Sequence, residues 1–347
     1  MALVCSKAVI LKVIKMAHML TERKSGMVEM AYAGETPWHG LGQKVQKGAS
    51  IEEWQISAGM DWTIQESPVE FGYVANGLKI RGKVADKKVL YRSDSFAPLG
   101  TVGSKFQVVQ PHEVLEFFRD LTQNAGFSVE TAGTLFGGSR FWALASIGEE
   151  CEIVPNDKVG GYLLLCTGAD GTMATEARFT TVRVVCNNTL SMARDAKGAF
   201  KVSHKTKFDS VQMKQRLGLA HDEFAQFKDN MRRLSGKTVS MARAERLAFD
   251  LLKPDNFDSM SMDEKTKVLE KVSDNRTFKG ILAMFDGGGQ GAKIDGVRDT
   301  AWGFVNAVTE YVDHASRATS TDNRLNSAWF GAGDDLKSKA VQLATAL

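Results

Sequence analysis

The spacing of apolar residues changes near Phe208, and this change limits the fold more than any other feature of the 347-residue chain. Before it, apolar positions largely alternate with polar ones, the two-residue period of half-buried strands. After it, they recur every three or four residues, as the buried stripe of a helix requires. The upstream pattern predicts strands over 62–65, 69–74, 79–84 and 89–92, with Asn76-Gly77 as a hairpin turn. Further strands are expected at 106–109, ended by Pro111, and at 127–135, 141–147, 162–167 and 180–185. Helices interrupt them. One runs from a Ser50 cap to near Gly59, and one covers 112–122 with Val114, Leu115, Phe118 and Leu121 on one face. A short helix over 190–196 would be capped by Asn188 or Thr189. Downstream, 211–234, 241–252, 262–272, 301–314 and 334–346 read as helices. The expected class is α+β. Residues 1–49 form an N-terminal extension and turn-rich arm, 50–207 an α+β core with an antiparallel sheet, and 208–347 a mainly helical region.

Most reactive chemistries lack their residues here. Cys5, Cys151, Cys166 and Cys186 are scattered, whereas a zinc site wants close pairs, so reduced thiols in a cytoplasmic protein are expected. Cys186 ends an apolar run and reads as a buried thiol, and there is no GxSxG nucleophile elbow. The glycine-rich run 287–291 is followed by Ala292 and Lys293 without the Lys-Ser/Thr pair of a phosphate loop, so it reads as a flexible linker between helices. Glu310 and His314 share a helix face, while Asp313 points about 100° away from His314. A polar contact is expected there in preference to a metal site. Residues 1–15 are broken by Lys7, Lys12 and Lys15, which fits neither a signal peptide nor a membrane span, and Met16 is a second candidate start. The expectation is no metal, no cofactor, no membrane and no catalysis.

Charge carries the strongest local signal. The whole chain is only +3, yet residues 178–207 hold seven cations against Asp195 alone. These are Arg178, Arg183, Arg194, Lys197, Lys201, Lys205 and Lys207, joined by His204. Thr180, Thr181, Asn187 and Asn188 add donors suited to phosphate oxygens, and Arg140 is a nearby cation. Arg178 and Thr180 share one strand face, Thr181 and Arg183 the other, so one pair is expected to pack and the other to meet ligand. An arginine on the packed face needs a carboxylate partner. Phe136, Phe141, Trp142 and Phe179 are the aromatics available for base stacking, though strand aromatics mostly enter cores.

Several runs occur in an order that resembles a known family. They are Glu35-Thr-Pro-Trp-His-Gly-Leu-Gly42, Phe106-Gln-Val-Val-Gln-Pro111 and Thr131-Ala-Gly133. Arg178-Phe-Thr-Thr-Val-Arg-Val-Val-Cys-Asn-Asn-Thr-Leu190, Asn306-Ala-Val-Thr-Glu-Tyr-Val-Asp-His314 and Ser327-Ala-Trp-Phe-Gly331 complete the set. From about Glu35 onward the chain resembles the phage/plasmid-like protein family, a domain of unknown function (DUF932). The resemblance implies a phage, prophage or plasmid gene and supplies no catalytic residues. A more distant, topological likeness is to single-strand annealing proteins. It rests on the order helix (112–122), antiparallel strands (127–185), helix (190–196). The resulting expectation is a cytoplasmic, non-enzymatic, oligomeric protein that binds single-stranded DNA in recombination or replication, self-associating through its helical half. The alternatives are a metal-dependent nuclease and an inhibitor of a host defence protein.

Overall fold

The computed structural model describes residues 21–34, 41–183, 188–191, 199–212 and 220–347. The candidate start at Met16 and most of the 35–42 run lie outside the described residues. The chain divides into two compact units that interleave along the sequence. One comprises residues 1–148, 162–178 and 195–218, and the other 149–161, 179–194 and 219–347. The β-rich, antiparallel region followed by helices agrees with the expected α+β class. Among the described residues no helix is long and apolar enough to cross a membrane.

In the first unit, β1 (Met30–Ala33) pairs in parallel with β2 (Gln43–Val45) and antiparallel with β6 (Ser128–Leu135). Helix α1 (Ile51–Ser57) starts where Ser50 accepts a hydrogen bond from the Glu53 amide at 3.2 Å, and buries Ile51 and Trp54. The four short strands expected over 62–92 are two long ones, β3 (Ile64–Ala75) and β4 (Leu78–Arg92), turned at Asn76-Gly77. Their register slips once. Pro68 pairs with Lys88 but Val69 pairs with Val84, so a bulge separates the root of this ribbon from its tip. Strand β5 (Pro98–Gly103) pairs with β4 at the root.

The expected strand at 106–109 is absent. The Gln107 amide donates to the His204 carbonyl at 2.6 Å, a single link outside any strand ladder. Helix α2 (Pro111–Asn124) begins with a Gln110–Glu113 capping box and buries Val114, Leu115, Phe117 and Phe118. Strands β7 (Arg140–Glu152), β8 (Lys158–Gly168) and β9 (Thr175–Arg183) contribute residues to both units. Among the described residues the large sheet has the order β10-β9-β8-β7-β6-β1-β2, where β10 is Asn188–Ser191, with β11 (Ala199–Val202) also on β9.

One carboxylate organises the first unit. Glu29 is fully buried and takes both terminal nitrogens of Arg92, at 2.9 and 2.6 Å, together with Nε of Arg23 at 2.8 Å and the Thr134 hydroxyl. Arg92 extends the network to Asp94 at 2.9 and 2.8 Å and lies over the Trp62 ring, 4.1 Å from its centroid. Gly59, at φ +70°, passes so close that a Cβ there would sit 2.6 Å from the Glu29 side chain.

In the second unit, β10 (Asn188–Ser191) replaces the start of the expected 190–196 helix. The backbone of β9 over 180–183 needs hydrogen-bond partners, and a returning strand satisfies them where a helix cannot. Residues 192–198 lie outside the described residues. The helices are α3 (Ala220–Ser235), α4 (Met241–Leu252), α5 (Met262–Ser273), α6 (Arg276–Ala283), α7 (Ala301–Glu310), α8 (Thr321–Phe330) and α9 (Ala332–Thr345). Helix α7 is buried along its whole length, capped by Thr300 at the Gly303 amide. Trp302 donates to Asp157 at 2.7 Å, and Lys337, 1% exposed, donates to Asp313 at 2.9 Å.

Removing Arg92 strands the Glu29 charge in the core, whereas Glu29→Gln removes the charge but keeps a polar partner. Arg92→Met is therefore expected to cost about 3–5 kcal/mol, and Glu29→Gln less, in urea unfolding. The Arg92 hydrogen bond holds the Asp94 carboxyl down at about 2. Its contribution is present above the ordinary carboxylate range and is lost as pH falls toward 2, so the wild type should lose stability across that window more steeply than Asp94→Asn.

Candidate nucleic-acid interface

Strand β9 does not offer one wet face. Arg178, Thr180 and Thr181 are all buried, as are Ala177 and Phe179, although neighbouring positions point to opposite faces. Arg178 has the carboxylate its burial demands, Glu176 on the same face at 3.9 Å, and Lys201 reaches that carboxylate at 3.3 Å through the β9–β11 pairing. Thus three residues chosen by charge and hydroxyl content serve the interior. Sequence shows that β9 alternates, but it does not show that both sides are covered.

Arg183 and Asn188 are cross-strand partners in the β9–β10 ladder. Asn187, Arg194 and Lys197 lie outside the described residues. Of the candidate aromatics, Phe141, Trp142 and Phe179 are core. Phe136 is half-buried, with the Arg140 guanidinium 5.4 Å from its ring centroid.

The remaining candidates converge in the first unit. His204 is buried, and its ring stacks on Phe106 at 4.1 Å between centroids. Its Nδ1 meets the Gln107 carbonyl oxygen at 2.8 Å, and its Nε2 the Met173 carbonyl oxygen at 3.1 Å. With the Gln107 amide bond to its own carbonyl, His204 ties the 203–206 turn to the 104–107 segment and to the turn at 169–173. Arg140 braces that last turn from the side, donating to the Thr172 hydroxyl at 2.8 Å near Asp170 at 3.9 Å. Lys205 and Lys207 follow His204 directly and are exposed. Lys201 is exposed on β11, and Lys105 is exposed on the joined segment. Here the sequence reading missed Lys105. It is distant in the chain, and only the Gln107–His204 link brings it close.

Lys105, Lys205 and Lys207 are thus exposed on the segments that this junction joins, and Lys201, also exposed, pairs with Glu176. Exposed ammonium groups are the kind of donor that meets phosphate oxygens.

The other candidates resolve into structure. The glycine-rich run is no loose linker. The amides of Gln290 and Gly291 donate to Glu310 at 2.7 and 3.1 Å, so a buried carboxylate already fills the cradle that a phosphate would need. Glu310 and Asp313 are thus committed to Gly291 and Lys337 respectively. Among the described residues no three His, Cys, Asp or Glu side chains gather as metal ligands. Burial pushes the Cys166 thiol well up, and pushes the half-buried Cys151 up as well.

A family model described as Domain of unknown function (DUF932) matches residues 98–329. No curated protein and no solved structure matches the chain. Of the helix expected at 190–196, one leg of the likeness to annealing proteins, Leu190 and Ser191 lie in the strand Asn188–Ser191, and residues 192–196 are outside the described residues.

Two outcomes follow from this geometry. Cys166 should resist alkylation at mild alkaline pH until the protein is unfolded, as mass spectrometry of labelled peptides would show. His204→Ala should loosen the 203–206 turn, raising hydrogen exchange at the amides of Gln107 and Thr206 while those of α2 stay protected.

Proposed function

The chain belongs to the DUF932 family, whose description carries no activity, and we propose that it is a phage or plasmid protein that binds nucleic acid, single strands foremost. One observation carries the reading: His204 ties the segment that bears the exposed Lys205 and Lys207 to the segment that bears the exposed Lys105. Exposed ammonium groups suit a phosphate backbone, because each bound phosphate releases condensed counterions. Contacts of that kind position a strand without reading its bases, so weak sequence preference goes with them. His204 and Arg140 act as positioning residues, and Arg178, Thr180 and Thr181 support the sheet beneath. Annealing or replication in the cytoplasm of a host cell is the setting that the family resemblance suggests. A nuclease is the less favoured reading, since Glu310 and Asp313 have structural partners.

Fluorescence anisotropy with single-stranded and duplex oligonucleotides, over a salt series with and without magnesium, tests this. Affinity should fall steeply with salt. The Lys201→Ala/Lys205→Ala/Lys207→Ala variant should lower the slope of log K against log salt by about 2 on single strands, at about 0.7 per lost contact. Its melting temperature should fall only slightly, because all three lysines are exposed and the Lys201–Glu176 pair is the one contact removed. Absence of binding at low salt, or an unchanged slope in the variant, would remove these lysines from the binding site. Cleavage of the oligonucleotide in magnesium would favour the nuclease instead.

A further inference from the structure

Beyond its bulge, the β3–β4 ribbon carries its charge on one face. Directly paired residues share a face, and this one holds the pairs Glu70–Lys83, Gly72–Arg81 and Val74–Lys79. The three cations are two residues apart on β4, at intervals of about 7 Å. Neighbouring phosphates along a nucleic-acid strand are separated by a distance of the same order. All three cations stand in solvent. The Arg81 side chain, with a glycine opposite, is 87% exposed, and that of Lys83 is 70% exposed. Glu70 is the one carboxylate on the face. It lies 3.7 Å from Lys83 and 3.9 Å from Arg81, too far for a hydrogen bond, so it offsets one charge loosely and leaves two.

The root of the ribbon leads this charge toward the junction that His204 ties. Lys87, exposed, pairs with Gly103 of β5. The Ser104 amide donates to the Asp86 carbonyl oxygen at 2.9 Å, and Lys88 Nζ donates to the Phe106 carbonyl oxygen at 2.8 Å. The same segment bears Lys105, and its Gln107 amide reaches the His204 carbonyl, one residue before Lys205. Residues 69–87, 104–107 and 203–207, linked in this way within the first unit, hold seven exposed cations against Glu70 and Asp86. That excess of five is larger than the +3 of the whole chain, so positive charge is concentrated on these linked stretches and offset elsewhere.

We propose that the ribbon is an arm that extends the nucleic-acid contact. A single strand held at Lys105, Lys205 and Lys207 continues along the charged face, where its phosphates meet Lys79, Arg81 and Lys83. This inference rests on the nucleic-acid reading and adds to it the length and course of the bound strand. From Lys79 to Lys87 the arm spans roughly 25 Å, so its contacts require several nucleotides beyond those at the junction. Contacts to phosphates alone carry no sequence information, so the arm adds affinity and salt dependence without base preference.

Anisotropy with oligothymidylates of about 6 and about 20 nucleotides, lengths that bracket common single-strand site sizes, tests the arm. Lys79→Ala/Arg81→Ala/Lys83→Ala should weaken binding of the long strand at least about tenfold and lower its salt slope by about 2, while weakening the short strand far less. Glu70→Gln removes the opposing carboxylate and should tighten the long strand, a gain that damage to the fold would not produce. Lys267→Ala/Lys271→Ala/Lys279→Ala removes the same charge from exposed positions on α5 and α6 and should leave both strands unaffected. Circular dichroism melts of all variants should stay close to the wild type, since every substituted side chain is exposed. A wild type that binds neither strand overturns this inference together with the nucleic-acid reading. A wild type that binds, with affinity unchanged in the arm variant or reduced equally in the α5–α6 variant, overturns the arm alone and leaves its cations as guards of an open strand edge.

Discussion

A fully buried carboxylate must be given partners, and most of the first unit can be understood as the set of partners assembled for Glu29. Its two oxygens collect Arg92 from β4, Arg23 from the segment before β1 and the Thr134 hydroxyl from β6. Three stretches remote in sequence are therefore obliged to meet at one point. Arg92 in turn has more N–H donors than one carboxylate uses, so Asp94 takes others and the Trp62 ring lies beneath the guanidinium. Such a network adds little net stability over an apolar core of equal volume. It makes partial assembly costly, because any missing member leaves a charge in the interior. That constraint fixes where the ribbon's root sits, and with it β5 and the segment leading to Lys105.

The second unit solves its buried charges in pairs. Glu310 ends a wholly buried helix and is satisfied by two backbone amides of the glycine-rich run, and Asp313, three residues on, is satisfied by Lys337. Residue type alone made this cluster resemble metal ligands, and the glycines alone resembled a phosphate loop. Each reading was half of one interaction. The glycines are needed because the carboxylate comes close: a Cβ on residue 289 would lie 2.9 Å from a Glu310 oxygen.

Much of the fold was legible because it depends on local rules. The Ser50 cap, the amphipathic helix before Asn124, the Asn76-Gly77 turn and the alternation of β6 to β9 all appear where the pattern placed them. What was not legible depended on distant partners. Residues 106–109 are β-prone, yet the Gln107 amide goes to His204, 97 positions away. Residues 188–191 carry cap-like Asn and Thr, yet the open edge of β9 takes them as a strand. The site followed the same division. That residues 178–207 are cationic is a local fact, but Arg178 is inside with Glu176 of its own strand beside it, and β11 brings Lys201 to the same carboxylate. Which cations remain wet is decided by pairing that no window of sequence contains.

The ribbon shows the converse, a feature fully written in local sequence whose meaning needs the register. Alternation over 69–75 and 78–84 was visible, and in most sheets it would predict one buried face. Here the register puts Val69, Phe71, Tyr73, Ala75, Leu78, Ile80, Gly82 and Val84 on one face, and Phe71, Tyr73, Leu78 and Ile80 on it are exposed. A strip that selection had left merely exposed would be expected to carry lysines or a proline at its centre, the usual defences of an open strand. This chain instead places its lysines and arginine on the reverse face and orders two aromatics on the open one.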